Sequence, residues 1–160
     1  MSYIISPPEE TALQAHLHKL RTQLHEDPEL SWQEHRTTRL VRRELEALCL
    51  EPVPLGLPTG TAALLRGALP GPTVGLRADL DALPITERTG AEFSSRVPGV
   101  MHACGHDVHM AALLGAARLL AARREQLAGN VLFLFQPAEE AATGAMQVLE
   151  QGLFRRVPVT

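Results

Sequence analysis

The segment from residue 73 to residue 137 predicts a β-strand, a helix and a second strand, in that order. "TVGLRADL" and "GNVLFLFQP" are short apolar runs bounded by glycine and proline, as buried strands are. Between them, "DVHMAALLGAARLLAARREQL" is rich in alanine and leucine and has arginines in its last turns, which is typical of a helix. Strands joined by a helix at this spacing are usually parallel neighbours. The predicted fold class is therefore α/β, with a partly parallel, mixed sheet flanked by helices.

Further elements are predicted on both sides of this unit. Leucines recur at helical spacing in residues 10–30, and Pro28 is expected to end that helix. In "SWQEHRTTRLVRRELEAL", Ser31 and Glu34 have the spacing of a capping box, which predicts that a second helix begins there. "EPVPLGLPTG" is typical of a loop and "TAALLRG" of a strand at 61–66. A long loop over residues 80–105 and a last helix over "EEAATGAMQVLEQGLF", ended by Gly152, complete the prediction.

Length and composition limit the class of function. A chain of 160 residues, of which 45% are hydrophobic, suits one compact domain. Its net charge of -3 gives no electrostatic reason to expect binding to nucleic acid or to a membrane surface. No apolar run approaches the ~18 residues that span a bilayer, and "MSYIISPPEE" lacks the pattern of a signal peptide. With two cysteines, Cys49 and Cys104, the expected compartment is the reducing cytoplasm.

Three polar clusters are predicted to meet at one edge of the sheet. Sites in open α/β sheets gather at the carboxyl ends of strands, which here carry "RADLD" and "QPAEE". "HACGHDVHM", residues 102–110, leads into the helix between these strands and contains three histidines, one cysteine and one aspartate. We therefore expect the three clusters to form one site.

The residue types in these clusters fit a divalent metal site. Cys104 and His106 can face one cation if the backbone bends at Gly105. Glu139 and Glu140 would repel each other unless a positive charge lies nearby. One of them could bind a metal while the other takes a proton from metal-bound water. A mixture of thiolate, imidazole and carboxylate suits Zn²⁺, and also Mn²⁺, Co²⁺ or Ni²⁺.

Each cluster also has an ordinary structural explanation. The cysteine of "CGH" could be a small buried thiol and its histidine a residue at a helix start. The paired glutamates could be the acidic first turn of a helix. Asp107 could be a helix N-cap. Asp79 and Asp81 alternate on a strand and so could share a face, or they could form a turn, with Arg77 beside one of them. His109 is expected on a helix face that lines the cleft.

The motifs resemble those of a known enzyme family. "LHEDPELSWQE", "GLRADLDALPI", "GVMHACGHDVHMAALLGAA", "FLFQPAEE" and "GAMQVLEQGLF" are similar, in order and spacing, to the hippurate hydrolase and auxin-conjugate amidohydrolase branch of the dinuclear-metal aminoacylase and carboxypeptidase family. The resemblance covers nearly the whole chain. It implies the first half of a zinc-peptidase-like catalytic domain, and hydrolysis of N-acyl amino acids or related amides by metal-activated water.

The resemblance also implies roles for particular residues. It implies that Cys104, His106 and Glu140 bind metal, that Glu139 is the general base, and that Asp81 belongs to the catalytic set and orients the site. A complete site would hold two divalent ions, of Zn, Mn, Co or Ni. The residues expected behind the ligands are Asp79, which stands where other branches have a histidine, and His102, Asp107 and His109.

The same resemblance predicts that residues 1–160 are the amino-terminal portion of the catalytic domain. Family members are much longer, with further metal-binding histidines and an inserted domain for dimerisation and substrate binding, whereas no histidine follows His109 in this sequence. We therefore expect a truncated chain without that lid domain or the carboxyl-terminal half, and a homo-oligomer for the longer form. A metal-binding remnant without activity, or a partner-dependent subunit, is the alternative. A third alternative, an enzyme with Cys104 as nucleophile, leaves Glu139 and Glu140 without a role.

Overall fold

The computed structural model describes residues 6–160. Residues 1–5, part of the stretch that lacks a signal-peptide pattern, lie outside the described residues. The elements in chain order are α1 (Pro7–Glu26), α2 (His35–Ala47), β1 (Glu51–Val53), β2 (Thr61–Arg66), β3 (Leu69–Asp79), α3 (His106–Ala121), a short 3₁₀ helix (Arg124–Gln126), β4 (Ala128–Gln136), α4 (Gly144–Glu150) and α5 (Leu153–Arg156). Within residues 6–160, no helix combines the length and the apolar character needed to cross a membrane.

A four-stranded mixed sheet with the order β1-β2-β4-β3 organises the fold. β3 and β4 are parallel, and Asp79 lies opposite Gln136 where both strands end. β2 is antiparallel to β1 on one side and to β4 on the other. Because α3 connects β3 to β4, the predicted strand-helix-strand unit and the mixed α/β sheet are confirmed.

The central strand β4 is buried on both faces of the sheet. Phe133 and Phe135 are fully buried in a cluster with apolar side chains of α1, α2 and α3. Leu132 and Leu134 point the other way, into a cluster with buried side chains of α4 and α5. A strand covered on both faces has a continuous apolar sequence, which is what "VLFLF" shows. The two layers of helices hold the sheet from both sides and leave its carboxyl edge to the loops.

The predicted start of the second helix is wrong. α2 begins at His35, and Glu34 is its N-cap residue without any capping bond from its side chain. The Ser31 hydroxyl donates to Asp81, and the Glu34 carboxylate accepts from Ala138 instead. Ser31 and Glu34 have the spacing of a capping box, but their side chains form tertiary hydrogen bonds instead of capping the helix.

Two other predicted boundaries are also wrong. The last helix begins only at Gly144, because residues 137–143 form turns before it. The predicted loop from residue 51 contains the short edge strand β1, where Pro52 is tolerated because an edge residue need not donate to a neighbour on both sides. Gly152, expected to end the last helix, has a φ of 71° and separates α4 from α5.

The long loop from residue 80 to residue 105 is held to the helices by a buried carboxylate. Glu87 accepts hydrogen bonds from the Ser95 N–H and the Thr89 hydroxyl, and its Oε1 lies 3.2 Å from Nε2 of His25 in α1. Burial would raise the pKa of Glu87, but these hydrogen bonds together hold the pKa below its usual 4.5. The folded loop therefore favours the ionised carboxylate.

We expect acid to remove this anchor. Since the folded-state pKa of Glu87 lies below the unfolded one, its stabilisation is complete above pH 4.5 and is lost as pH falls through the lower, folded value. Wild type and Glu87→Gln should differ by on the order of 1 kcal/mol in unfolding free energy near neutral pH. The difference should vanish in acid. Thermal melts across the acid range measure it, and a difference that grows on acidification would contradict the expectation.

Candidate metal centre

The loops after β3 and β4 meet the start of α3 at the carboxyl edge of the two parallel strands. α3 begins at His106, and Gly105 before it has a φ of 85°. Only glycine adopts that left-handed conformation readily, and it lets the chain turn sharply between Cys104 and His106. The turn after β4 brings Glu139 and Glu140 to the same place. The structure thus brings together the "CGH" and "AEE" clusters predicted to form one site.

Three of these side chains form a compact group of potential ligands. The Cys104 thiol, a ring nitrogen of His106 and a carboxylate oxygen of Glu140 all lie within 4.8 Å of one another. His106 is buried, Glu140 is half-buried and Cys104 is exposed. Within residues 6–160, Oε1 of Glu140 has no hydrogen-bond partner although it is buried, and it lies 4.0 Å from Nε2 of His106. A cation between the three side chains would satisfy that oxygen, so the residues fit a metal ion.

The ring of His106 is oriented by the backbone of the β3 loop. Its Nδ1 lies 2.8 Å from the main-chain oxygen of Asp81. Because a carbonyl oxygen only accepts, Nδ1 donates this hydrogen bond, and in the neutral ring Nε2 keeps a free lone pair. That nitrogen lies 3.8 Å from Oε2 of Glu139 and faces the two glutamates. This is the tautomer that a metal-binding histidine needs.

The thiol of Cys104 lies among acidic groups. Partial burial, followed by the hydrogen bond and the charge of Glu140, raises the pKa of the thiol, and the charges of Glu139 and Asp79 add to the effect. Without a cation the thiol therefore stays protonated at neutral pH. A bound cation would reverse that preference, since thiolates are the form that ligates metals.

Asp81 holds the backbone of both glutamates. Its side chain is fully buried, and its two oxygens accept from the N–H groups of Glu139 at 3.1 Å and Glu140 at 2.9 Å. The Ser31 hydroxyl donates to the same carboxylate at 2.7 Å. Asp81 thus faces the peptide groups of the turn, and its main-chain oxygen faces His106. These hydrogen bonds tie Asp81 to the backbone of the two glutamates, to Ser31 and to the ring of His106.

Asp79 has different surroundings from Asp81. It forms a two-point pair with Arg77, with Nε–Oδ1 and Nη2–Oδ2 distances of 2.9 and 3.0 Å. β3 ends at Asp79, so the rule that alternate strand residues share a face does not reach Asp81. Of the two alternatives left open by the sequence, a shared strand face therefore does not apply, while the suggested pairing of Arg77 with one of the aspartates is confirmed. Arg77 balances the charge of Asp79, whereas the side chain of Asp81 is fully buried.

Asp107 lies behind the cluster, inside the first turn of α3. The N-cap of α3 is Gly105, so the interpretation of Asp107 as an N-cap is wrong. The Asp107 carboxylate is buried, and its Oδ2 lies 2.8 Å both from Nε of Arg21 and from Nδ1 of His25. These contacts tie the start of α3 to α1.

The other two histidines of the motif occupy contrasting positions. His102 is buried, and burial above all lowers its pKa to about 4, with the charge of Asp107 working in the opposite direction. Its ring is therefore neutral at ordinary pH, and neither ring nitrogen finds a hydrogen-bond partner within residues 6–160. His109 is exposed on α3, with its ring centroid 5.9 Å from that of His106. Neither His102 nor His109 belongs to the ligand group of Cys104, His106 and Glu140.

Sequence reasoning missed three residues that support the turn after β4. Ser31 and Glu34 were assigned to a helix cap, but they bind Asp81 and Ala138. Trp32 has a φ of 64°, and its indole N–H donates to the Thr143 hydroxyl at 3.1 Å. All three lie in "LHEDPELSWQE", and that motif was the signal that could have found them.

Comparisons with known proteins point to one family. Residues 75–159 match the family model described as Peptidase family M20/M25/M40. The chain is 50% identical over 147 residues to the N-acetylcysteine deacetylase of Bacillus subtilis (strain 168), which covers 91% of this chain and 39% of that protein. It is 48% identical over 139 residues to IAA-amino acid hydrolase ILR1-like 6 of Arabidopsis thaliana, which covers 86% of this chain and 30% of that protein.

A solved structure shows the same arrangement of the backbone. The YXEP protein of Bacillus subtilis, described as a dinuclear metal binding peptidase from the M20 family, superposes with a TM-score of 0.88 at 49% identity. The match covers 92% of this chain and 41% of that one. The chain therefore spans less than half the length of the relatives that it matches.

Proposed function

Because the chain belongs to peptidase family M20/M25/M40, we propose that it serves metal-dependent hydrolysis of the amide bond in N-acyl amino acids. The observation that carries this proposal is the group formed by Cys104, His106 and Glu140, with Glu139 directly beside it. The names of two relatives, an N-acetylcysteine deacetylase and an IAA-amino acid hydrolase, support conjugated amino acids as the substrate class.

Cys104, His106 and Glu140 would hold a divalent cation. Their soft and hard donor atoms together suit Zn²⁺, and also Mn²⁺, Co²⁺ or Ni²⁺. The description of the YXEP protein as dinuclear supports two ions in a complete site. When bound, such a metal lowers the pKa of its water to about 7 and so supplies hydroxide at neutral pH.

Glu139 would act as the general base. Its side chain is 39% exposed, and its Oε2 lies 3.8 Å from Nε2 of His106, so it reaches both solvent and the ligand group. A carboxylate in that position can take a proton from water and return it to the leaving nitrogen. Glu140 is the more enclosed of the two glutamates and is the one within the ligand group. Burial thus supports a division of labour between neighbouring carboxylates.

Asp81 would act as a positioning residue, although the sequence resemblance places it in the catalytic set. Its carboxylate is occupied by the N–H groups of Glu139 and Glu140 and by the Ser31 hydroxyl. It therefore has no direct contact left for a substrate. Its contribution is the geometry of the base and of one ligand.

The thiol supplies the test of the metal site. We expect Zn²⁺ or Co²⁺ to slow alkylation of Cys104 several-fold, because a metal-bound thiolate is shielded from electrophiles. Cys49, which is also free and exposed but lies after α2, is the internal control and should react at the same rate with and without metal. Iodoacetamide labelling followed by mass spectrometry measures both rates in one sample. In His106→Ala the protection should disappear, and equal rates for Cys104 with and without metal would refute the site.

A second candidate, catalysis by a Cys104 nucleophile, is disfavoured by the same geometry. A nucleophilic cysteine needs a lowered thiol pKa, whereas burial and the neighbouring carboxylates raise the pKa of this one. Three further expectations stay predictions. The free state of Cys49 and Cys104 supports a cytoplasmic location. The other two are that residues 1–160 form the amino-terminal part of the catalytic domain and that the longer form of the protein is a homo-oligomer.

A further inference from the structure

Glu34 is a completely buried carboxylate at the start of α2. Its two oxygens accept one hydrogen bond each, from the N–H of Ala138 at 2.8 Å and from the hydroxyl of Thr59 at 2.7 Å. None of the ion pairs found within residues 6–160 includes Glu34. Burying a carboxylate without an opposite charge opposes folding unless good hydrogen bonds compensate. If position 34 served packing alone, an apolar side chain would cost less free energy to bury. The carboxylate therefore points to a further role.

Glu34 binds the backbone of Ala138, the first residue of the turn that carries Glu139 and Glu140. This turn, residues 138–143, is called the glutamate turn below. Ala138 is fully buried and has a φ of 51°, a left-handed conformation that is unfavourable for a residue with a Cβ. Its carbonyl accepts from the Gly144 N–H at 3.1 Å, which closes the turn. Glu139 and Glu140 follow directly. Backbone strain beside functional residues persists only where the surroundings enforce it.

Two buried carboxylates therefore hold three successive peptide groups. Glu34 binds the N–H of Ala138 from the α2 side, and Asp81 binds the next two N–H groups from the β3 side. The turn is fixed from both directions. Thr59, in the loop before β2, orients Glu34 in turn.

We propose that Glu34 is a positioning residue for the metal centre, which acts through Ala138 to place the carboxylates of Glu139 and Glu140. This inference rests on the proposed function, since it gives those two carboxylates their purpose. Glu34 contacts neither the thiol of Cys104 nor the ring of His106 in any hydrogen bond or ion pair found within residues 6–160. Its effect on metal binding must pass through the backbone.

The test uses Co²⁺ as a spectroscopic probe of the ligand group. A Cys104 thiolate bound to Co²⁺ gives a charge-transfer absorption band, and its titration yields the affinity. We expect Glu34→Ala to weaken Co²⁺ binding roughly 10–100-fold, as loss of groups behind the ligands does in other metal sites. Glu34→Gln should rescue most of the affinity, because its amide oxygen can still accept from Ala138.

Glu29 provides a matched control. It is also a buried glutamate from the segment before α2, and its carboxylate accepts from the backbone N–H of Thr37 at 2.8 Å. No hydrogen bond or ion pair found within residues 6–160 joins its side chain to the glutamate turn. Glu29→Ala should leave the Co²⁺ band and affinity as in the wild type. Amide hydrogen exchange on the metal-free chain adds a second readout: Glu34→Ala should increase exchange in residues 138–143 while β4 stays protected.

The outcomes separate the two proposals. Unchanged Co²⁺ affinity in Glu34→Ala, or equal weakening in Glu34→Ala and Glu29→Ala, would overturn the role of Glu34 and leave the metal site intact. Exchange that rises equally in the turn and in β4 would also overturn it, because it would show a general loss of stability. A wild-type chain without a charge-transfer band would overturn the proposed function itself, and the role of Glu34 with it.

Discussion

We expect the substitution Glu139→Gln to lower the rate of amide hydrolysis about 10²–10⁴-fold, because a general base typically contributes that much to the rate. The metal should stay bound. Glutamine has nearly the shape of glutamate but cannot take a proton from water. The half-exposed position of Glu139, beside the ligand group and outside it, predicts that metal affinity survives. Turnover of hippurate and N-acetyl amino acids with Mn²⁺, Zn²⁺, Co²⁺ or Ni²⁺, together with the metal content, measures both properties in an active polypeptide that contains this sequence.

Glu140→Gln is the matched control for that substitution. It changes the neighbouring residue in the same way, but it removes the charge of a proposed ligand, so metal content and activity should fall together. The pair of variants separates proton transfer from metal binding. If metal content fell in step with activity in Glu139→Gln and stayed constant in Glu140→Gln, the roles of the two glutamates would have to be exchanged.

The second large effect is expected for Asp81→Ala, which should lower the free energy of unfolding by on the order of 3–5 kcal/mol. The substitution leaves the N–H groups of Glu139 and Glu140 and the Ser31 hydroxyl without their acceptor, at a position with no exposed surface. Each unpaired buried donor costs about 1–3 kcal/mol. Such a loss is a large part of the 5–15 kcal/mol that typically stabilises a domain.

Urea unfolding of three variants tests this expectation. Asp81→Asn should also destabilise, because its amide group would present donors to donors. Asp79→Ala is the control: its main partner is the half-exposed Arg77, so its loss should cost about 1 kcal/mol or less. A loss for Asp81→Ala as small as that for Asp79→Ala would mean that Asp81 does not organise the turn.

The main features of fold and family could be predicted because they have local signals. The apolar runs of β3 and β4, bounded by glycine and proline, and the Ala- and Leu-rich sequence of α3 specify a strand-helix-strand unit. The motifs "MHACGHD" and "QPAEE" specify the family, and the comparisons confirm it. The meeting of Cys104 and His106 with Glu140 follows from the topology, since the carboxyl ends of parallel strands share an edge.

The supporting residues could not be predicted, because their partners are distant in sequence. Ser31 and Glu34 have the local spacing of a helix cap, and only the folded chain shows that Asp81 and Ala138 bind them. The turn after β4 is hidden for another reason. Ala138 and Ala142 are good helix formers, yet both adopt positive φ angles of 51° and 54°, which tertiary contacts impose.

The parallel pairing of β3 with β4 also sets when the metal centre can exist during folding. The proposed ligands come from the end of the β3–α3 connection and from the turn after β4, so they meet only after α3 has packed and the two strands have paired. Such non-local pairing is slow and comes late, because the entropy of closing a long loop must be overcome first. An ion bound by the proposed ligands would therefore not nucleate the fold. It would bind only after the sheet has formed, and it would then slow unfolding.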